Sequence, residues 1–140
     1  MPNSPLHAAS SPRPHVLLVD DHVDSAELLR MLLERRGFSV KVAGTVAAAL
    51  EAAETTPFDV LVSDIELPDG KGHDLVRRLR ASGGAGEEAP SARRMPAIAL
   101  SGLDSAADVQ SGRDAGFDEY LGKPVSVDDL VAALRRVSAA

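Results

Sequence analysis

The sequence predicts a single α/β domain, a doubly wound parallel sheet with helices on both faces. Three observations lead to it. Short apolar runs alternate with amphipathic stretches of helical period along 140 residues, a length that suits one domain with a core of its own. Strands and helices in alternation require right-handed crossovers, so neighbouring strands pair in parallel. Polar residues stand at the carboxyl ends of the apolar runs, where such sheets form their ligand crevice.

The elements follow in order. Met1 to Pro14 is rich in Pro and Ser without periodicity, and is expected to be a disordered tail or linker, leaving 15–138 as the folded domain. VLLV, Val16 to Val19, reads as a strand buried on both faces. Leu28, Leu29, Leu32 and Leu33 form one apolar helical stripe that stops at Gly37, a residue suited to a left-handed C-terminal cap. Phe38, Val40 and Val42 alternate with Ser39 and Lys41, the pattern of a half-exposed edge strand. Thr45 can cap a helix carrying Val46, Leu50 and Ala53.

FDVLV, Phe58 to Val62, is the third strand, and Leu75, Val76 and Leu79 mark a helix that ends by Gly83. Ser82 to Arg94 is a Gly- and Pro-bearing surface loop, expected to be mobile. AIAL, Ala97 to Leu100, is the fourth strand. Ser105 to Ala115, polar and interrupted by Gly112, reads as a marginal helix, and EYL, Glu119 to Leu121, as the fifth strand. Ser126 with Asp129 fits a capping box ahead of Leu130, Leu134 and Val137.

Composition removes several classes of function. Fifteen basic residues against 21 acidic ones leave a net charge of -6, which argues against a nucleic-acid partner, because phosphate binding is driven by clustered Lys and Arg. The absence of cysteine rules out disulfides, thiolate nucleophiles and zinc-thiolate sites. No apolar run reaches the length of a membrane span and no secretory leader is recognisable, so a cytoplasmic protein without membrane insertion is expected.

The chemistry is concentrated at the strand ends. Asp20 and Asp21 follow the first strand, Asp64 the third, Ser101 the fourth and Lys123 the fifth. Singly, each has an ordinary explanation: a helix cap, a turn former, a solvated lysine. Together, at the ends of four strands of one sheet, they converge on one edge. Two carboxylates about 5 Å apart repel by roughly 3 kcal/mol at an effective dielectric of about 20. A cation must offset that repulsion, and oxygen-only ligands in an open crevice suit Mg²⁺. Lys123 supplies a second, fixed positive charge. Mg²⁺, an ammonium and a hydroxyl around a carboxylate are equipped to stabilise phosphoryl transfer onto that carboxylate. His7, His15, His22 and His73 are dispersed and lack metal-ligand spacing; His22 and His73 could stand near the crevice rim, with a surface or capping role expected.

VLLVDD, VSDIELPDGKG, ALSG and FDEYLGKP, in this order and at these separations, resemble the receiver domain of bacterial response regulators in two-component signalling, over about Val16 to Val137. The resemblance implies a flavodoxin-like sheet of strand order 2-1-3-4-5. It implies that Asp64 is the phosphoacceptor, taking a phosphoryl group from a sensor histidine kinase or a histidine phosphotransfer protein. Asp21, Asp64 and the backbone carbonyl of Glu66 would bind Mg²⁺, with Asp20 acting mainly through bound water. Ser101 and Lys123 would each contact a phosphoryl oxygen, and Ser101 with Tyr120 would form the switch that reshapes the face of the Ser105–Ala115 helix, the last strand and the last helix. The Lys123–Pro124 peptide resembles one that the family holds in cis.

A downstream protein target and a homodimer are compatible with this reading, as either a stand-alone regulator or the receiver of a hybrid sensor kinase. The resemblance implies a signalling domain that is phosphorylated and dephosphorylates itself, and not a turnover enzyme. Ile65 and Val125 depart from the family's usual Met and Phe but stay apolar. Two rival readings are a degenerate receiver that only binds partners and a Mg²⁺-dependent phosphatase of the haloacid dehalogenase type, although the latter carries D-x-D after its first strand where this chain has VDD.

Overall fold

The computed structural model describes residues 14–82, 95–101, 116–123 and 125–139. The first thirteen residues of the expected tail, the loop from Gly83 to Arg94, the expected helix at Ser105 to Ala115 and Pro124 lie outside them. In chain order the elements are β1 (His15–Val19), α1 (Val23–Arg35), β2 (Ser39–Ala43), α2 (Val46–Thr55), β3 (Val60–Asp64), β4 (Glu66–Leu67), β5 (Gly70–Lys71), α3 (Gly72–Ser82), β6 (Ala97–Ser101), β7 (Glu119–Gly122) and α4 (Val127–Ala139). Five strands form one parallel sheet in the order β2-β1-β3-β6-β7, which is the expected 2-1-3-4-5 once the β4-β5 hairpin is set aside.

Every residue of the two central strands β3 and β6 is buried, because helices cover both faces. Leu17, Val19, Leu61, Ala97 and Ala99 pack on one side with α2 and α3; Val16, Leu18, Val60, Val62, Ile98 and Leu100 pack on the other with α1 and α4. The alternation is the period-two rule of a strand applied from both sides. β2 lies at the sheet's edge with its Lys41 exposed, as the alternating pattern of its sequence predicts.

The helix ends follow the capping signals. Thr45 accepts a hydrogen bond from Ala48 N at 2.9 Å, Ser126 accepts one from Asp129 N at 3.0 Å, and Gly37 closes α1 at φ 98°. The leucine stripe of α1 needs one correction: Leu33 is buried and Leu29 and Leu32 are partly so, but Leu28 faces solvent. The fully buried positions of α1 are Ala26 and Leu33, two turns apart, so the helix turns a narrower face to the sheet than its leucines alone suggest. β3 and β6 each extend further than the apolar runs, so Asp64 and Ser101 are their last residues and do not follow them.

At the amino edge of the sheet two aspartates are consumed by the backbone. Asp59 accepts from His15 N at 2.7 Å and returns its own N–H to His15 O at 2.8 Å; Asp118 does the same with Ala97 at 2.9 and 2.7 Å. A third, Asp69 in the turn between β4 and β5, accepts from Val46 N and Ala47 N at 2.8 and 3.0 Å, tying the segment after β3 to the start of α2. Those two backbone bonds hold its carboxyl below the usual carboxylate range. A depressed folded-state value means stability that is present above the ordinary aspartate value near 3.9 and lost as pH falls through the lower folded value. Asp69→Ala is therefore expected to melt at a lower temperature than the parent at pH 7, with the difference shrinking below about pH 4; a difference that stays constant down to about pH 2 would count against the capping role.

Candidate functional site

The parallel register sets the site. Val19 pairs with Ser63, Asp64 with Leu100, and Ser101 with Gly122, so the residues that follow leave the sheet at one level. Backbone bonds continue the ladder one step further: Asp20 N to Ala43 O at 3.0 Å, Ile65 N to Leu100 O at 3.1 Å, and Lys123 N to Ser101 O at 2.7 Å. Asp20, Asp64 and Lys123 thus meet at the carboxyl edge although 103 residues separate the first from the last.

Lys123 Nζ donates to Asp64 Oδ2 at 2.9 Å and lies 3.3 Å from Asp20 Oδ2. Asp20, Asp64 and Ser101 are buried, and Lys123 is half-buried. Burial alone would lower the lysine's pKa, but the hydrogen bond to Asp64 and the charges of Asp64 and Asp20 outweigh it and leave the ammonium above its ordinary value. The lysine is held charged, facing the Asp64 carboxylate.

Of the two positions the sequence leaves open to His22, a surface or capping role and the crevice rim, the structure places it at the rim, still exposed. The residue occupies the N-cap position of α1 but makes no side-chain cap there. Its ring turns to the acids instead, with Nδ1 3.0 Å from Asp20 Oδ1, 3.3 Å from Asp21 Oδ1 and 4.0 Å from Asp64 Oδ2. Its pKa is raised by the hydrogen bond and charge of Asp20 and by the charge of Asp21, with Lys123 and slight burial opposing. The signal is present in the sequence as DDH, but the histidine's neighbours in space come from β3 as well as from its own loop. His73, by contrast, packs edge-on against Phe117 with ring centroids 6.1 Å apart.

Ligand atoms of Asp20, Asp21, His22 and Asp64 all lie within 4.8 Å of one another. Three carboxylates converging this closely, with oxygen donors in the majority, suit a hard divalent ion. The Glu66 side chain takes no part in that cluster; it stands on the hairpin and pairs with Lys71 at 2.9 Å. Gly72, the first residue of α3, passes so close to the end of β3 that a Cβ there would meet Asp64 O at 2.5 Å and Ser63 Oγ at 3.1 Å. Its N–H donates to Ile65 O at 2.8 Å, holding α3 against the segment that directly follows Asp64. Gly72 belongs to the stretch VSDIELPDGKG, but its steric role follows only from the crossing of two segments.

Tyr120 pairs with Ala99 and packs on the α2/α3 side of the sheet. Strand alternation puts Ser101 on that same side of β6, two residues beyond Ala99. The tyrosine hydroxyl is buried without a hydrogen-bond partner among the described residues.

Fold and site together define a flavodoxin-like α/β signalling domain of the CheY type. The chain belongs to the response regulator receiver domain family, whose model matches residues 16–135. Among curated proteins it is 36% identical over 121 residues to an uncharacterized 14.6 kDa protein in the sodA1 3' region of Leptolyngbya boryana, covering 86% of this chain and 87% of that one. It is 38% identical over 120 residues to the transcriptional regulatory protein KdpE of Mycobacterium tuberculosis, covering 86% of this chain but 49% of that protein. The chain thus spans most of the first and about half the length of the transcriptional regulators it matches.

Among solved structures, the chemotaxis protein CheY4 of Vibrio cholerae superposes with a TM-score of 0.80 at 27% identity, covering 89% of this chain and 98% of that one. The receiver domain of the Francisella response regulator 1452 does so with 0.79 at 31% identity, covering 91% and 98%. Receiver domains generally bind Mg²⁺ at an acidic pocket, and the oxygen donors gathered here fit that ion. No helix among the described residues is long and apolar enough to cross a membrane.

Proposed function

We propose that this receiver is a working phosphoacceptor, and that Asp64 takes a phosphoryl group from a phosphohistidine of a sensor kinase or a histidine phosphotransfer protein. The observation that carries the reading is Lys123 Nζ at 2.9 Å from Asp64 Oδ2, with the buried Asp20 beside it. A degenerate receiver would have no reason to keep buried carboxylates together against their repulsion.

In the transfer, an Asp64 oxygen attacks phosphorus, the P–N bond to the donor imidazole breaks, and the electron pair leaves with that nitrogen. Lys123, charged and already at the carboxylate, offsets negative charge building on the phosphoryl oxygens. The Ser101 hydroxyl donates to another of those oxygens. Mg²⁺, when held by Asp20, Asp21, Asp64 and the Glu66 carbonyl, supplies further charge neutralisation. Ser101 drawn toward the phosphoryl group alters the space beside Tyr120, and the face of β7 and α4 then changes its preferred shape for a downstream protein target or a second copy of the chain. Hydrolysis of the aspartyl phosphate resets the domain.

The partner's approach is supported by α1. It begins beside the acid rim and leaves Val23, Leu28 and Met31 exposed at 74%, 57% and 47%, apolar side chains that a phosphohistidine-bearing protein would meet on its way to Asp64.

The test is incubation with Mg²⁺ and acetyl phosphate followed by intact mass. A gain of one phosphoryl group, lost in Asp64→Asn, is expected. No gain in the parent chain would leave the partner-binding reading in its place, and sustained turnover of many small phosphate esters would favour a phosphatase.

A further inference from the structure

We infer that Ser63 is a positioning residue of this receiver: its buried hydroxyl pins the carbonyl of Asp64, and so sets the backbone that carries both the nucleophile and the carbonyl offered to Mg²⁺. The inference rests on the reading of Asp64 as phosphoacceptor and of the Glu66 carbonyl as a metal ligand.

The hydroxyl stands where packing alone gives no reason for one. β3 is apolar up to this point, with Val60, Leu61 and Val62 fully buried, and Ser63 is buried as completely. Strand alternation turns it to the side of Leu61, where α2 and α3 cover the sheet. Its partner across the ladder, Ala99, fills the same layer without a polar atom. A hydroxyl taken out of water is unfavourable unless it is hydrogen-bonded. Ser63 Oγ donates to the carbonyl oxygen of Asp64 at 2.9 Å.

The effect of that bond follows from the order of the peptide units. The unit joining Asp64 to Ile65 is planar and rigid. Ser63 holds its oxygen end, and its nitrogen end is held by Ile65 N–H donating to Leu100 O at 3.1 Å. In the following unit, Ile65 O accepts from Gly72 N–H at 2.8 Å. The next carbonyl along the chain is that of Glu66. Anchored peptide units thus lead from the nucleophile to the metal carbonyl, and the first anchor is a side chain that a substitution can remove.

The crossing of α3 leaves that anchor its space. A Cβ on Gly72 would lie 3.1 Å from Ser63 Oγ and 2.5 Å from Asp64 O, so helix, hydroxyl and carbonyl meet at one point. Without the Oγ, the Asp64 peptide loses its stop on this side and turns about the adjoining single bonds. The carboxylate then shifts against Lys123 Nζ, 2.9 Å away, and the Glu66 carbonyl shifts with it.

The competing explanation is that the hydroxyl only satisfies itself and steadies the fold. Ser63→Ala and Ser63→Cys separate the two, because alanine adds no atom to the crossing and a thiol fills the place but donates weakly. The full chain and both variants are compared at a temperature well below their melting transitions, by the rate of mass gain over a range of acetyl phosphate with saturating Mg²⁺, and by calorimetric titration with MgCl₂ alone. Ser63→Ala should lower the maximal rate about tenfold and weaken Mg²⁺ about tenfold, the effect of losing a support behind a ligand. The acetyl phosphate concentration for half the maximal rate should move less than about twofold. Ser63→Cys should fall with the alanine variant. Parental rate and Mg²⁺ affinity in Ser63→Ala, with or without a lower melting temperature, overturn the inference, and so does a cysteine variant that matches the parent, since filling would then suffice. A parent that gains no phosphoryl group overturns the phosphoacceptor reading and this inference together, an outcome distinct from an active parent matched by its alanine variant.

Discussion

Gly72→Ala is expected to destabilise the fold by about 1–3 kcal/mol, the range for forcing extra volume into a packed site, and to slow the proposed phosphorylation of Asp64 at the same time. An alanine in the first turn of a helix would ordinarily gain about 0.5–1 kcal/mol over glycine from backbone entropy. Here the sign reverses, because the added methyl would sit 2.5 Å from the carbonyl oxygen of Asp64 and 3.1 Å from the Ser63 hydroxyl. The first of those neighbours is backbone, so relief requires α3 to move away from β3 or the end of β3 to move. Either displaces Asp64 relative to Lys123. A shift near 1 Å in a reacting group can cost about a hundredfold in rate. Thermal melts and the rate of mass gain with acetyl phosphate measure the two effects; an alanine variant that melts with the parent would show that the crossing relaxes freely.

Lys123→Met should be nearly as damaging, for an electrostatic reason. Asp20 and Asp64 are buried, and the lysine's ammonium stands 3.3 and 2.9 Å from them. Removing one partner of a buried pair costs about 3–5 kcal/mol when the remaining charge stays uncompensated. The site is open on the side of His22, so the effect falls at or just below the lower end of that range, about 2–3 kcal/mol, or roughly 10 °C in melting temperature. The loss should be partly reversed by a divalent cation, which binds only the folded state and replaces the missing charge. Melting parent and variant with and without Mg²⁺ checks this: Mg²⁺ should raise the variant's midpoint, and equal midpoints for the two proteins without metal would mean that the carboxylates do not depend on the lysine.

Much of the architecture is legible in the sequence because burial on both faces leaves so plain a mark. VLLV and AIAL have no polar residue to spare, and the apolar–polar alternation of Phe38 to Val42 marks the edge. The site's main residues are legible for a related reason: strand ends in a parallel sheet converge, so Asp20, Asp21, Asp64, Ser101 and Lys123 share an edge before any contact is known.

What escaped depends on relations that no local pattern encodes. Leu28 has the right spacing for the buried stripe of α1 and still faces solvent, because the angle at which a helix meets a sheet selects which positions are covered. The short β4-β5 hairpin is signalled by Pro68-Asp69-Gly70, a turn sequence, but two-residue strands are too short to show a period. His22 and Gly72 matter through partners on other elements, one by the direction of a ring and the other by a missing atom.

The sheet has aspartates at both of its ends, and the two groups lead different lives. Asp59 and Asp118 fasten the entry points of β1 and β6 by a reciprocal clasp with the main chain. Asp20 and Asp64 at the far end answer to a cationic side chain. Backbone clasps and the charged cluster thus occupy opposite poles of the same scaffold.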